Sequence, residues 1–146
     1  MGMYVINELA FEVPDEAFED QTLTDLSGLL PEDGFLSVLI QRTPIPPASG
    51  LDEAVRAYVS HEARRLSFHE VIETRERPVG GTPGIEVVSS WAHGRHRIYT
   101  REAHVAVAGV RLTFSATTPL EHRETCDAYF ERMIETLVLN HQEGSR

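Results

Sequence analysis

The stretch that decides the fold runs from Ile85 to Thr117 and reads IEVVSSWAHGRHRIYTREAHVAVAGVRLTFSAT. It holds three strand-like runs separated by two short breaks. Ile85 to Trp91 and Arg97 to Val107 flank His93-Gly94-Arg95, so the two runs read as a hairpin closed at the glycine. Gly109 closes a second turn, after which Val110 to Thr117 sets Leu112, Phe114 and Ala116 on one face. Arg111, Thr113, Ser115 and Thr117 then point the other way. Consecutive long hairpins imply a mainly antiparallel sheet.

Working outward, Phe35 to Arg42 is a strand with apolar residues on both alternations: Leu36, Val38 and Ile40 on one side, Phe35, Ser37, Leu39 and Gln41 on the other. Such a strand belongs in the middle of a sheet. Tyr4 to Val13 alternates as one half-buried strand ended by Pro14-Asp15, Gln21 to Leu26 reads as a second, and Phe68 to Arg77 as another. Thr43-Pro44-Ile45-Pro46-Pro47 makes a surface connection, and Gly80-Gly81-Thr82-Pro83-Gly84 a turn. Leu51, Val55, Tyr58, Val59, Ala63 and Leu66 recur at helical spacing, predicting a helix over Leu51 to Leu66 with Ser49 as N-cap. A second helix is expected from the Thr118-Pro119-Leu120-Glu121 start signal, with an apolar stripe of Leu120, Cys126, Tyr129, Phe130, Met133, Ile134, Leu137 and Val138. The expected fold is α+β: a mainly antiparallel twisted sheet of about six or seven strands with both helices on one face. The other face is left open. One domain spans residues 1–140, followed by a polar tail over 141–146.

Composition narrows the function. The chain has 146 residues, 41% hydrophobic and 25% charged, which suits one packed core. Its net charge of −10 argues against nucleic acid and against an anionic membrane surface. Cys126 is the single cysteine, so neither an internal disulfide nor a cysteine-based zinc site can form. The N-terminus shows no basic and apolar regions of a secretory leader, and the longest apolar run is far below the roughly 18 residues of a spanning helix. A cytoplasmic protein without direct membrane insertion is expected.

The chemical motifs are weak. His93 and His96 have H-x-x-H spacing but flank a hairpin glycine, and His61-Glu62 lacks a second ligand because position 65 is Arg65. Scattered solvated histidines account better for all seven than a metal site does. Cys126 lies on a buried stripe and reads as a small core residue. The glycine-rich turn is followed by neither a Lys-Ser/Thr pair nor a helix, so it is not a phosphate loop. No catalytic residue, metal or cofactor is expected. What remains is the open sheet face, where Leu and Ile mix with Ser, Thr and Gln; such a face is either a binding surface or a dimer interface.

The segments Met3-Tyr4-Val5-Ile6-Asn7-Glu8, Phe11-Glu12-Val13-Pro14-Asp15 and Asp20-Gln21-Thr22-Leu23 resemble the opening of the DcrB-related family that includes the Eag chaperones. The resemblance continues through Val38-Leu39-Ile40-Gln41-Arg42, the helix from Leu51, Trp91 with Gly94, Arg101 and Thr117-Thr118-Pro119. It implies a PsbP-like fold and a homodimer whose concave sheets grip the N-terminal transmembrane helices of a PAAR- or Rhs-type type VI secretion effector. Carried onto this sequence, the gripping face comprises Leu23, Asp25, Ser37, Leu39, Gln41, Ile98, Thr100 and Glu102. Asp25 and Glu102 depart from the family, which has an apolar and an uncharged polar residue there; carboxylates in an apolar groove are costly unless paired. The competing readings are a DcrB- or PsbP-like interaction module with a soluble partner and no secretion role, and a metal- or histidine-dependent enzyme. Gene neighbourhood separates the first from the chaperone, and metal analysis revives the second.

Overall fold

In a computed structural model the described residues are 2–5, 9–13, 18–20, 25–30 and 34–139, with side chains described from Phe35 to Leu137. A small sheet of order β1-β2-β10 comprises β1 (Gly2–Val5), β2 (Leu9–Val13) and β10 (Val138–Leu139). The main sheet has the order β3-β4-β5-β9-β8-β7-β6 and every described pairing is antiparallel. Its strands are β3 (Phe18–Asp20), β4 (Asp25–Leu30), β5 (Gly34–Pro44), β6 (Ser67–Glu76), β7 (Gly84–His93), β8 (His96–Val107) and β9 (Val110–Pro119). Helix α1 (Leu51–Arg65) joins β5 to β6, and α2 (Arg123–Thr136) follows β9 through a 3-10 turn at Leu120–His122. The antiparallel architecture expected from the hairpins is present, and β5 sits inside the sheet.

Cross-strand register sorts the side chains into two faces. Ala116 opposes Val38 and Arg101, and Phe114 opposes Ile40 and Ala103. All of these but Arg101 belong to the core cluster, together with Leu36, Val88, Val105 and Leu112. Helix α2 covers that face with Cys126, Phe130, Met133 and Ile134, spaced along one side of the helix and all buried. The Phe130 ring centroid lies 6.0 Å from that of Phe114, and the Cys126 thiol points at the Ala116 carbonyl at 3.8 Å. Each such apolar side chain contributes about 1.5–3 kcal/mol by leaving water.

On the opposite face, Ser115 opposes Leu39 and Glu102, and Thr117 opposes Ser37 and Thr100. Helix α1 packs here. Arg111 donates from Nη1 to the Ala54 carbonyl at 3.2 Å, and Tyr58 reaches Glu102. Residues 101 and 102 are sequence neighbours in one strand, so contacts to Arg101 from α2 and to Glu102 from α1 place the two helices on opposite faces. This corrects the expectation that both helices share a face. The periodic stripe of a helix shows that it buries one side, not which side of the sheet receives it. The second face is therefore half covered rather than bare.

Three local expectations also change. Tyr4 to Val13 is not one strand: β1 and β2 pair antiparallel, with Tyr4 opposite Phe11. The N-cap of α1 is the extended Gly50, while the Ser49 N–H donates to the Pro46 carbonyl at 3.1 Å. Thr118-Pro119 does not start α2; β9 runs through Pro119, and the Thr118 hydroxyl donates to the Phe35 carbonyl at 2.6 Å. Of the strand expected over Gln21 to Leu26, Asp25 and Leu26 lie in β4, which runs on to Leu30, and residues 21–24 lie outside the described ones. So does the proposed domain end at residue 140 with its tail.

Candidate binding groove

The half-covered face carries a groove of about 420 Å³ between α1 and the sheet. Its sheet side is formed by Leu39 and Gln41 of β5, Val87 and Trp91 of β7, Thr100 and Glu102 of β8, and Ser115 and Thr117 of β9. Its helix side is formed by Tyr58, Val59, Glu62 and Arg65, with Leu66 and His69 at the α1–β6 junction. A second hollow of about 600 Å³ shares Leu39, Trp91, Ser115 and Thr117 with the first and adds Phe35, Ser37 and Ile98. The two therefore form one trough along the sheet.

The trough floor mixes Leu39, Val87, Trp91 and Ile98 with hydroxyls and charged groups, and is more apolar in the adjoining hollow than beneath α1. The Trp91 indole donates to the Thr100 hydroxyl at 3.4 Å, and the Thr100 and Thr117 hydroxyls lie 3.3 Å apart. Ser115 donates to the Leu39 carbonyl at 3.3 Å. These hydroxyls are satisfied within the chain yet can turn toward a donor or acceptor entering the trough.

The deep end is charged. The Tyr58 hydroxyl donates to Glu102 Oε2 at 2.5 Å, and burial together with the Glu102 charge pushes that phenol well above its ordinary range. Tyr58 is thus held as a donor. The Arg111 guanidinium lies 4.7 Å over the Tyr58 ring, and burial lowers its affinity for the proton. The carboxylate that looked costly in the sequence is paired within the chain.

His104 lies between the Thr113 hydroxyl, 3.2 Å from Nδ1, and Glu102, 3.5 Å from Nε2. That order resembles a hydroxyl, imidazole and carboxylate relay, but His104 and Thr113 are buried and neither lines the trough. Cys126 is buried in the core on the other face, where burial pushes its thiol up to about 12. Among the described residues no three His, Cys, Asp or Glu side chains gather as metal ligands.

Of the residues carried over from the resemblance, Leu39, Gln41, Thr100 and Glu102 line the groove, and Ser37, Leu39 and Ile98 line the adjoining hollow. Asp25 is the register partner of Leu39; its side chain and all of Leu23 lie outside the described set. Trp91, Ser115, Thr117 and the α1 wall were absent from that list. For Ser115 and Thr117 the signal was present in the alternation of β9. For Tyr58, Val59 and Leu66 it was masked, because a helical stripe reads equally as core.

The profile of the DcrB family matches residues 8–136. The chain belongs to the DcrB family. Solved structures similar to this DcrB-family chain include PA94 of Pseudomonas aeruginosa, a protein of unknown function, at 17% identity and a TM-score of 0.62, covering 92% of this chain and 96% of that one. LpqN of Mycobacterium tuberculosis, described as involved in cell envelope biogenesis, is 11% identical at a TM-score of 0.70, covering 90% and 82%. The cyanobacterial PsbP of Synechocystis is 17% identical at a TM-score of 0.61, covering 90% and 86%. At these identities the likeness establishes the fold, which is PsbP-like. No functionally curated protein matches the chain. Among the described residues no helix is long and apolar enough to cross a membrane.

Proposed function

We propose that this DcrB-family protein is a non-enzymatic chaperone that receives apolar helical segments of another polypeptide in its trough. The N-terminal transmembrane helices of a PAAR- or Rhs-type type VI secretion effector, shielded in the cytoplasm before export, are the cargo that the sequence resemblance favours. The observation that carries the reading is the trough itself, a concave surface on the face opposite the core that mixes Leu39, Ile98 and Trp91 with the hydroxyls of Thr100, Ser115 and Thr117. Apolar helices exposed to water gain roughly 25 cal/mol per Å² when covered. The hydroxyls supply the small-residue, hydrogen-bonded contacts that such helices make with one another in a membrane.

Size supports a second copy of the chain as part of the grip. One turn of helix about 10 Å across and 5.4 Å long occupies about 420 Å³. The groove and the adjoining hollow equal about one and about one and a half such turns, and a membrane span of about 20 residues, about 30 Å long, has about five and a half. A single trough therefore holds only part of a span, and a homodimer would present two.

Co-expression tests this reading. The N-terminal helices of the effector encoded beside the chain should stay soluble only when it is present, and Leu39→Arg should abolish the effect while the variant remains folded. Helices that are equally soluble alone, or with the arginine variant, would end the proposal.

A further inference from the structure

We infer that the edge of β6, which no other described strand pairs and which borders the trough only through His69, is a second docking site for an extended basic segment of a partner protein in which apolar side chains alternate with Lys or Arg. Strand β6 ends the main sheet, and every one of its residues except His69 is exposed. Its pairing with β7 is interrupted twice. Ser67 opposes Ala92 and Glu70 opposes Ser90, so Phe68 and His69 share the place opposite Trp91. Val71 opposes Ser89 and Glu73 opposes Val88, so Ile72 is a second inserted residue.

Both insertions carry large apolar side chains into solvent: Phe68 is 82% exposed and Ile72 is 53% exposed, with Val71 beside them. Phe68 also adopts φ +52°, a left-handed conformation that a bulky L residue reaches only under strain. Nothing among the described residues packs over that ring to offset the strain. Edge strands are blunted by short length, by charge, by proline or by bulges that twist the edge away, and β6 carries both charge and bulges. Yet it is ten residues long and places its apolar residues at its bulges.

Charge selects the occupant. The strand carries Glu70, Glu73 and Glu76 against one cation, Arg75, which is bonded to the buried Glu86 and keeps a loose contact of 3.9 Å with Glu73. Glu70 keeps a loose contact of 3.7 Å with Arg97. A second copy is disfavoured. Antiparallel self-pairing centred on Glu70, on Glu73 or midway between them sets glutamate opposite glutamate; the register that sets Glu70 opposite Arg75 meets a cation already bonded to Glu86, and two copies of net charge −10 repel. A basic strand instead meets the carboxylates while its apolar residues cover Phe68 and Ile72.

A fluorescein-labelled, end-capped peptide of eight alternating Lys and Val residues is the probe, titrated into the full chain by fluorescence anisotropy. Peptides alternating Glu with Val, and Lys with Ser, separate apolar fit from bulk charge. The Lys–Val peptide is expected to bind at least tenfold more tightly than either and to slow amide exchange across residues 67–76. Phe68→Gly, which suits the left-handed backbone and should fold at least as well, is expected to weaken it at least tenfold, and Ile72→Ser likewise. Leu39→Arg in the trough should leave it unchanged, which separates failure here from failure of the chaperone reading. Equal binding of the Lys–Ser peptide, indifference to Phe68→Gly, or loss with Leu39→Arg would overturn the inference. So would a concentration-dependent dimer that Phe68→Gly dissolves, because the edge would then belong to a second copy.

Discussion

Tyr58 is the residue on which the charged end of the trough turns. Its hydroxyl donates to Glu102 at 2.5 Å, and its ring lies under Arg111. Tyr58→Phe keeps the ring and its stacking but leaves a buried carboxylate short of a donor. The expected loss is about 1–3 kcal/mol of stability, read from the shift in urea midpoint at unchanged slope. If the variant is as stable as the parent, Glu102 is satisfied by something other than the phenol. The pair also shows where the sequence stops being legible. Glu102 stands out as a carboxylate among groove residues, but its donor lies 44 positions away on a helix whose face the pattern cannot assign. Ser37, Leu39 and Gln41, by contrast, follow directly from strand alternation.

Among elements, α2 is tied to the sheet by charge as well as by apolar contact. Buried Glu86 accepts bonds from Arg101, Arg75 and Arg77; Arg101 and Arg77 also reach Glu131 at 2.8 and 2.6 Å. The Arg101 guanidinium lies 4.5 Å over the Phe130 ring, and the Tyr99 hydroxyl donates to Asp127 at 2.7 Å. The hydrogen bond from Arg77, aided by Arg101 and opposed by burial, holds the Glu131 carboxyl down at about 2. For Glu86 burial pushes upward, yet the bonds and charge of Arg101 with the bonds of Arg77 and Arg75 leave it lowered. A carboxyl lowered on folding adds stability above its unfolded value and loses it as pH falls through the folded one. Stability should therefore decline between about pH 4.5 and 2, and Glu131→Gln should flatten part of that decline in thermal midpoints measured across the range. An identical acid profile for the variant would show that the bridge contributes nothing to holding α2. The start of α2 was misread for a related reason: Thr118-Pro119 has the chemistry of a helix cap, but the Thr118 hydroxyl is engaged by the Phe35 carbonyl of the strand alongside. A local signal yields where the long-range ladder satisfies the same groups.

Across the whole molecule the two faces of the sheet are unequal, and the inequality has a dynamic consequence. Helix α2 fully buries four side chains in the main cluster, whereas α1 fully buries Val55 alone, half-buries Leu51, Ala54, Tyr58 and Val59, and adds the Tyr58–Glu102 bond and the Arg111 contacts. The element with fewer buried apolar contacts opens at lower free energy. Native-state hydrogen exchange should show α2 amides opening only with the whole domain. Amides of α1 should exchange at least tenfold faster, through a local opening that depends little on denaturant. Tyr58→Phe should widen the gap by acting on α1 alone. This bears on the trough because α1 is its movable wall. A groove of about 420 Å³ is narrow for a helix carrying large side chains, and displacement of a weakly held α1 widens it without disturbing the core beneath α2. If α1 instead proves as protected as α2, the trough is rigid. It would then admit only slender segments built from small residues, and cargo with bulky helices would have to bind elsewhere.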